Sequence, residues 1–221
     1  NEKAIAMADM QLDELCDLIL KTEEGKSRSL IAVAGPPGAG KSTLADILAS
    51  KLSGRGETAE VLPMDGFHMD NGILEERELL ARKGAPNTFD LRGFIDVVQA
   101  VKAAEDEVLV PVFDRSRELA IAAARVVSPR HRFIVIEGNY LLLGEGGWER
   151  LAPLFDYRIL LAPPIEELQR RLEARWTFYG LAGQAFEDKI HGNDMPNVRL
   201  VLEKSKGADL VLERLDLEAA R

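Results

Sequence analysis

The chain has 221 residues, with 28 Lys and Arg against 37 Asp and Glu, a net charge of −9, and 46% hydrophobic residues. That length suits one domain, or one domain with a small lid, and can bury a core without covalent staples. The acidity argues against nucleic acid as a main partner, no apolar run approaches the roughly 20 residues of a membrane helix, and the lone Cys16 leaves no internal disulfide and no Cys-based zinc site.

Asn1 to Gln11 carries Glu2 and Asp9 without a continuous apolar stretch, so no signal peptide is read there and a cytoplasmic protein is expected. Residues 4–21 place Ile5, Leu12, Leu15, Leu18 and Ile19 at helical spacing, which predicts an amphipathic helix within an N-terminal helical region, 1–27. Ser29 to Gly35 is apolar at every second and every intervening position, the pattern of a buried parallel strand. A helix over Ser42–Leu52, a strand over Thr58–Met64 and helices over Glu75–Arg82 and Gly93–Ala104 follow. Val108–Phe113 and Ile121–Val127 read as short strands, and Phe133–Ile136 and Tyr157–Leu161 as barer apolar ones. Helices over Ile165–Tyr179, Ala185–His191 and Val198–Lys204 precede a last strand, Ala208–Leu212. Strands alternating with helices predict an α/β fold, a parallel sheet with helices on both faces.

The segment Gly35-Pro36-Pro37-Gly38-Ala39-Gly40-Lys41-Ser42, followed by Thr43, matches G-x-x-x-x-G-K-[ST] between a strand and a helix. Its glycines let successive N–H groups turn toward a phosphate chain, and the helix start aims its positive dipole end there. Lys41 supplies charge to the β- and γ-phosphates, and the Ser42 hydroxyl is a ligand for Mg²⁺. Gly35, Gly38, Ala39, Gly40, Lys41, Ser42 and Thr43 are therefore the ATP-binding candidates. The strand ending at Glu137-Gly138 has the form of a Walker B strand with Glu in place of Asp, which makes Glu137 the second metal candidate. The strand ending at Met64-Asp65-Gly66 brings a third carboxyl end toward the crevice of a parallel sheet. Asp65 there is placed to take the proton of an alcohol, or to cap a turn. His68 either hydrogen-bonds a substrate or packs in its loop.

GPPGAGKST at 35–43, MDGFHMDN at 64–71 and VIEGNYLLL at 135–143 together resemble the phosphoribulokinase, uridine kinase and bacterial pantothenate kinase family. Pro86 to Asp90, Pro111 to Ser116 and Arg171 to Arg175 resemble further elements of that family, the last its R-x-x-x-R lid. His191 to Asn197 is similar to a stretch of the branch labelled fructose-transport-system kinases. The resemblance covers about residues 28–215. It implies a three-layer P-loop fold with a five-stranded parallel sheet and a small helical lid, here 164–196. It also implies ATP and Mg²⁺, with Asp65 as general base, Glu137 supporting the metal, and Arg175 and Arg171 reaching the transferring phosphoryl group with Lys41.

Phe113-Asp114 departs from the Tyr-x-x-His pattern of uridine kinases, and the pantothenate kinases carry an extra segment that this chain is too short to hold. His68, Phe113, Arg115, Arg117 and Tyr140 are the candidates for the acceptor pocket; the two arginines either bind an anionic group there or lie on the surface. Trp176, Phe178 and Tyr179 shield a closed site from water or form the core of the lid. Ser205 to Asp209 reads as a plain loop. The expected activity is phosphoryl transfer to a hydroxyl of a small metabolite, a fructose-like sugar ahead of pantothenate or a nucleoside. A regulatory nucleotide switch of the GTPase type would carry an N-K-x-D motif, which does not occur here. Monomer and homodimer both stay open.

Overall fold

The structure, a computed structural model, describes residues 5–216, and the side chains of residues 10–213. Two strands at its centre are apolar on both faces because both faces are covered. In β2 (Ser29–Ala34), Ile31 and Val33 join one core while Leu30, Ala32 and Ala34 join the other. β6 (Phe133–Gly138) splits the same way, with Phe133 and Val135 on one side and Ile134 and Ile136 on the other. With β1 (Ile5–Gln11), β3 (Ala59–Pro63), β7 (Tyr157–Leu161) and β8 (Leu210–Asp216) they form a six-stranded parallel sheet in the order β1-β8-β7-β2-β6-β3.

Helices α1 (Leu12–Thr22), α2 (Lys41–Gly54) and α5 (Ile165–Phe178) cover one face through Leu15, Ile19, Leu44, Leu48, Leu168 and Leu172. The other face is covered by α4 (Leu91–Ala103) and a 3₁₀ stretch, Trp148–Leu154, through Phe94, Val98, Trp148 and Leu151. The remaining helices are α3 (Asn71–Glu76), α6 (Gly183–Lys189) and α7 (Met195–Lys204). Among the described residues no helix is long and apolar enough to cross a membrane.

The expected five-stranded parallel core is present, and β1 adds a sixth strand at its edge. That strand corrects the helix expected over residues 4–21. Ile5 was the one residue before Leu12 in helical phase, and the segment instead pairs along β8, from Ile5↔Leu210 to Gln11↔Asp216. Pairing satisfies the backbone groups that β8 would otherwise leave open at the sheet edge. The helix proper starts where the Gln11 N–H donates to Glu14 Oε2 at 3.2 Å. The helix expected over Glu75–Arg82 lies earlier. Asp70 caps it, accepting the Gly72 N–H at 2.9 Å, and Glu78 ends it with a left-handed φ of 57°.

Val108–Phe113 and Ile121–Val127 are strands, but outside the parallel sheet. β4 (Val108–Asp114) and β5 (Leu119–Val127) pair antiparallel as a separate hairpin, since a four-residue link is too short for a parallel crossover. The hairpin sits directly on the turn after β3: a Cβ at Gly66 would lie 2.3 Å from the Pro111 carbonyl oxygen. Only glycine admits that approach, which brings β4 beside Asp65. The loop Ser205 to Asp209 precedes β8, at the opposite end of the sheet from the phosphate loop. There Asp209 accepts from the Arg158 guanidinium at 2.9 and 2.7 Å.

Candidate active site

The carboxyl ends of β2, β3 and β6 open into one cleft of about 670 Å³. The helix α2 begins at its floor with a left-handed Gly40 (φ 92°), no side-chain cap and no acidic residue in its first turn. Its first N–H groups therefore have no side-chain partner, which is the requirement for binding an anion at a helix start. Gly38, Gly40, Lys41, Ser42 and Thr43 line the cleft. Gly35 and Ala39 do not: a Cβ on Gly35 would meet the Leu161 carbonyl oxygen at 2.6 Å, and Ala39 is buried in the core.

Lys41 is buried, and its Nζ donates to the Pro36 carbonyl oxygen at 3.0 Å. Burial pulls its pKa down, while Glu137 and then Asp65 pull it back up. An ammonium has three donors, and one protein acceptor leaves the others to a ligand. Glu137 is buried beside it. Its pKa is pushed up to about 7, by burial first and by the Asp65 charge second, against the pull of Lys41 and Ser42. Ser42 and Glu137 offer hard oxygen donors on the same wall, a set suited to Mg²⁺ completed by phosphate and water oxygens. Among the described residues no group of three or more His, Cys, Asp or Glu side chains is placed to hold a metal by itself.

Glu137→Gln is accordingly expected to melt higher than the parent protein at pH 8 in metal-free buffer, and to lose that advantage by pH 5. The folded carboxyl has its pKa raised from an ordinary 4.5 to about 7. The stability linked to it is full below the unfolded value and is lost as pH rises through the folded one. Thermal melts across that range test this, and a gap equal at both pH values would reject it.

Asp65 lies in the 3₁₀ turn Met64–Phe67 after β3. Its Oδ2 accepts from Arg115 at 2.9 Å, and its carbonyl oxygen accepts the His68 Nδ1–H at 2.8 Å. The His68 ring is packed between Phe89 and Phe113, centroids 4.1 and 4.8 Å away, and burial lowers its pKa so that it is neutral. Arg115 is held by the hairpin turn, where Asp114 Oδ1 accepts the Ser116 and Arg117 N–H groups at 2.9 and 3.2 Å.

Asp65, His68, Phe113, Arg115, Glu137 and Arg175 thus share the cleft with the phosphate loop. Besides Gly35 and Ala39, three further expected site residues do not line it. Tyr140 is fully buried in the core, and its hydroxyl donates to the Gly84 carbonyl oxygen at 2.5 Å. It is not an acceptor ligand but a prop for the Lys83–Gly84 turn. Arg117 lies beyond the cleft, its N–H part of the hairpin turn. Arg171 stands at the rim, bound to Glu167 Oε1 at 2.8 Å and to the Gly38 carbonyl oxygen at 3.2 Å. Arg175 differs: its guanidinium lies 5.2 Å from the Trp176 ring centroid, and among the described residues no carboxylate is within ion-pair distance.

Sequence reasoning missed Lys83, Glu118, Asn139 and Lys189, which also line the cleft. Isolated polar residues in turns carry no spacing signal. The His191 to Asn197 segment was visible, and its structure explains its composition. Ile190–Asp194 forms a π-helical turn. Asn193, Asp194 and Asn197 are all buried. Asn193 Nδ2 donates to the Lys83 carbonyl oxygen at 2.9 Å, and Asn197 Nδ2 to Asn193 Oδ1 at 3.3 Å. Arg82 reaches Gly192 O and Asn197 Oδ1, and Trp176 Nε1 donates to Asp194 Oδ2 at 2.6 Å.

A family model described as "Phosphoribulokinase / Uridine kinase family" matches residues 30–220. The "uncharacterized protein YggC" of Escherichia coli K12 is 34% identical over 88% of this chain and 81% of its own. A Schizosaccharomyces pombe protein named "putative uridine kinase C227.14" is 32% identical over 95% of this chain and 93% of its own. The crystal structure of a "putative fructose transport system kinase" from Silicibacter sp. TM1040 superposes with a TM-score of 0.86. It is 45% identical, covering 91% of this chain and 98% of that one.

Proposed function

This chain belongs to the phosphoribulokinase / uridine kinase family of ATP-dependent small-molecule kinases, and on that premise we propose that it phosphorylates a hydroxyl of a fructose-like sugar. One observation carries the reading: the uncapped start of α2, buried Lys41 and the Asp65 carboxylate all face a single cleft. The name of the Silicibacter protein, 45% identical, favours a sugar over pantothenate or a nucleoside.

Gly38, Gly40, Lys41, Ser42 and Thr43 bind the ATP phosphates, with the α2 N–H groups directed at them. Ser42 and Glu137 would hold Mg²⁺, which when bound would neutralise charge on those phosphates. Asp65 orients the acceptor hydroxyl and takes its proton as that oxygen attacks the γ-phosphorus in line, and the bond to the β–γ bridging oxygen breaks to release ADP. Lys41 and Arg175 balance the charge spread over the phosphoryl oxygens, and Arg171 steadies the loop carbonyl at Gly38. The 164–196 region serves as the lid of a single-domain kinase, with Trp176, Phe178 and Tyr179 keeping water from the phosphoryl group. Use of ATP favours a cytoplasmic protein.

The test is release of ADP from ATP or of GDP from GTP, alone and with fructose, pantothenate or uridine. Fructose is expected to stimulate release from ATP about tenfold or more over the other two, the margin a few pocket contacts supply. Strict GTP preference without stimulation by any alcohol would overturn the reading.

A further inference from the structure

Apart from Lys41 and Arg175, the cations that line the cleft are already matched. Arg115 pairs with Asp65 at 2.9 Å, Lys83 with Glu118 at 3.3 Å, and Lys189 with Asp194 at 3.7 Å. Lys41 and Arg175, the cleft cations with no carboxylate in ion-pair distance among the described residues, are near enough to repel one another on the phosphate side. The cleft therefore has free positive charge for one polyanion, the nucleotide. A second anionic group would meet neutralised cations and their carboxylates, and like charges brought together are costly.

The cleft is also lined by groups that accept hydrogen bonds from hydroxyls. His68 spends its Nδ1–H on the Asp65 carbonyl oxygen, so its Nε2 is an acceptor. Asp194 is only 7% exposed, yet it lines the cleft. Its Oδ2 takes the Trp176 indole N–H, and its Oδ1 has only the distant Lys189. Asn197, 2% exposed, lies one turn further along the chain and also lines the cleft. Asp194 ends the π-helical turn, a device that re-aims side chains within a helix, and Asn193 of that turn accepts the Asn197 Nδ2–H, while Asn197 Oδ1 takes Arg82 at 3.4 Å and keeps a second lone pair.

We infer that Asp194 and Asn197 form an acceptor subsite for the hydroxyls of an uncharged polyol, one that turns away acceptors bearing a phosphate or carboxylate. The inference rests on the kinase reading above and narrows it. Asp194 and Asn197 accept from neighbouring hydroxyls, which leaves the reacting hydroxyl to Asp65. Specificity of this kind is a difference between partners, and the carboxylates supply its repulsive part.

The experiment compares ADP release from Mg·ATP by the full chain with a ketohexose, its monophosphate and a hydroxycarboxylate of similar size. The uncharged sugar is expected to exceed both charged compounds by about tenfold or more in kcat/KM, about 1.4 kcal/mol. A charged compound that matches or exceeds the sugar overturns the inference and leaves the kinase reading standing. Release stimulated by none of the three counts against the kinase reading, and the inference falls with it. Asp194→Asn keeps an oxygen for the Trp176 indole while removing the charge. It is expected to raise the sugar KM about tenfold, hold the ATP KM within about twofold, and narrow the gap between charged and uncharged acceptors. An unchanged sugar KM with an unchanged gap removes Asp194 from the subsite.

Discussion

Asp65→Asn is expected to lower kcat about a thousandfold, inside the 10²–10⁴ range of a lost general base. The substitution is nearly isosteric, and the surroundings of the residue do not depend on its charge for their shape. Gly66 keeps the turn against Pro111, His68 still has the Asp65 carbonyl oxygen, and an amide oxygen still accepts from Arg115. What disappears is the capacity to take a proton. Steady-state ADP release gives kcat, and the ATP KM should change little because the phosphate contacts are elsewhere. Because the Asp65 charge is the second cause of the high Glu137 pKa, the acid limb of any residual activity should also move to lower pH. A kcat near that of the parent would show that the base is another group.

Arg175→Ala is expected to cost kcat a similar factor, about 10³, the lower end of the range for an arginine that meets the transferring phosphoryl group. Four positions earlier on the same helix, Arg171 is engaged by Glu167 and by the Gly38 carbonyl, and Arg170 by Glu167 at 2.7 Å. Exposed pairs of that kind contribute little to stability, but they do occupy the charge. Arg175 keeps its charge free and stacked beside Trp176 within the cleft. An interaction made only in the transition state lowers kcat and kcat/KM together, whereas a ground-state contact raises the ATP KM alone. The second pattern would make Arg175 a phosphate-binding residue instead of a catalytic one.

The phosphate loop was legible because its chemistry dictates residue type at every fixed position, within a strand and a helix that are themselves strongly patterned. Asp65 and Glu137 were legible for a related reason: Glu137 stands at the carboxyl end of buried β6 and Asp65 just past that of β3, and strand ends converge in a parallel sheet. Tyr140 shows the limit. It follows the same kind of strand end as Glu137, yet its ring is enclosed by Phe89 and Trp148, 5.8 and 5.4 Å away. Whether a side chain two residues past a strand turns inward or outward depends on partners distant in the chain. Lys83 and Lys189 reach the cleft through turns held by Asn193 and by the π-helical segment, contacts that leave no periodic trace. The edge strand β1 was concealed for a similar reason, since its pairing depends on residues at the other end of the sequence.

That pairing bears on how the protein is made. β8 stands between β1 and β7, so Ile5 finds Leu210 only after nearly every other element has been synthesised. Contacts so remote in sequence form slowly. Until then β1 carries open N–H and C=O groups, a template for another nascent chain. β8 therefore pairs on both of its sides at once, and slow or interrupted translation there leaves the facing edges of β1 and β7 both open.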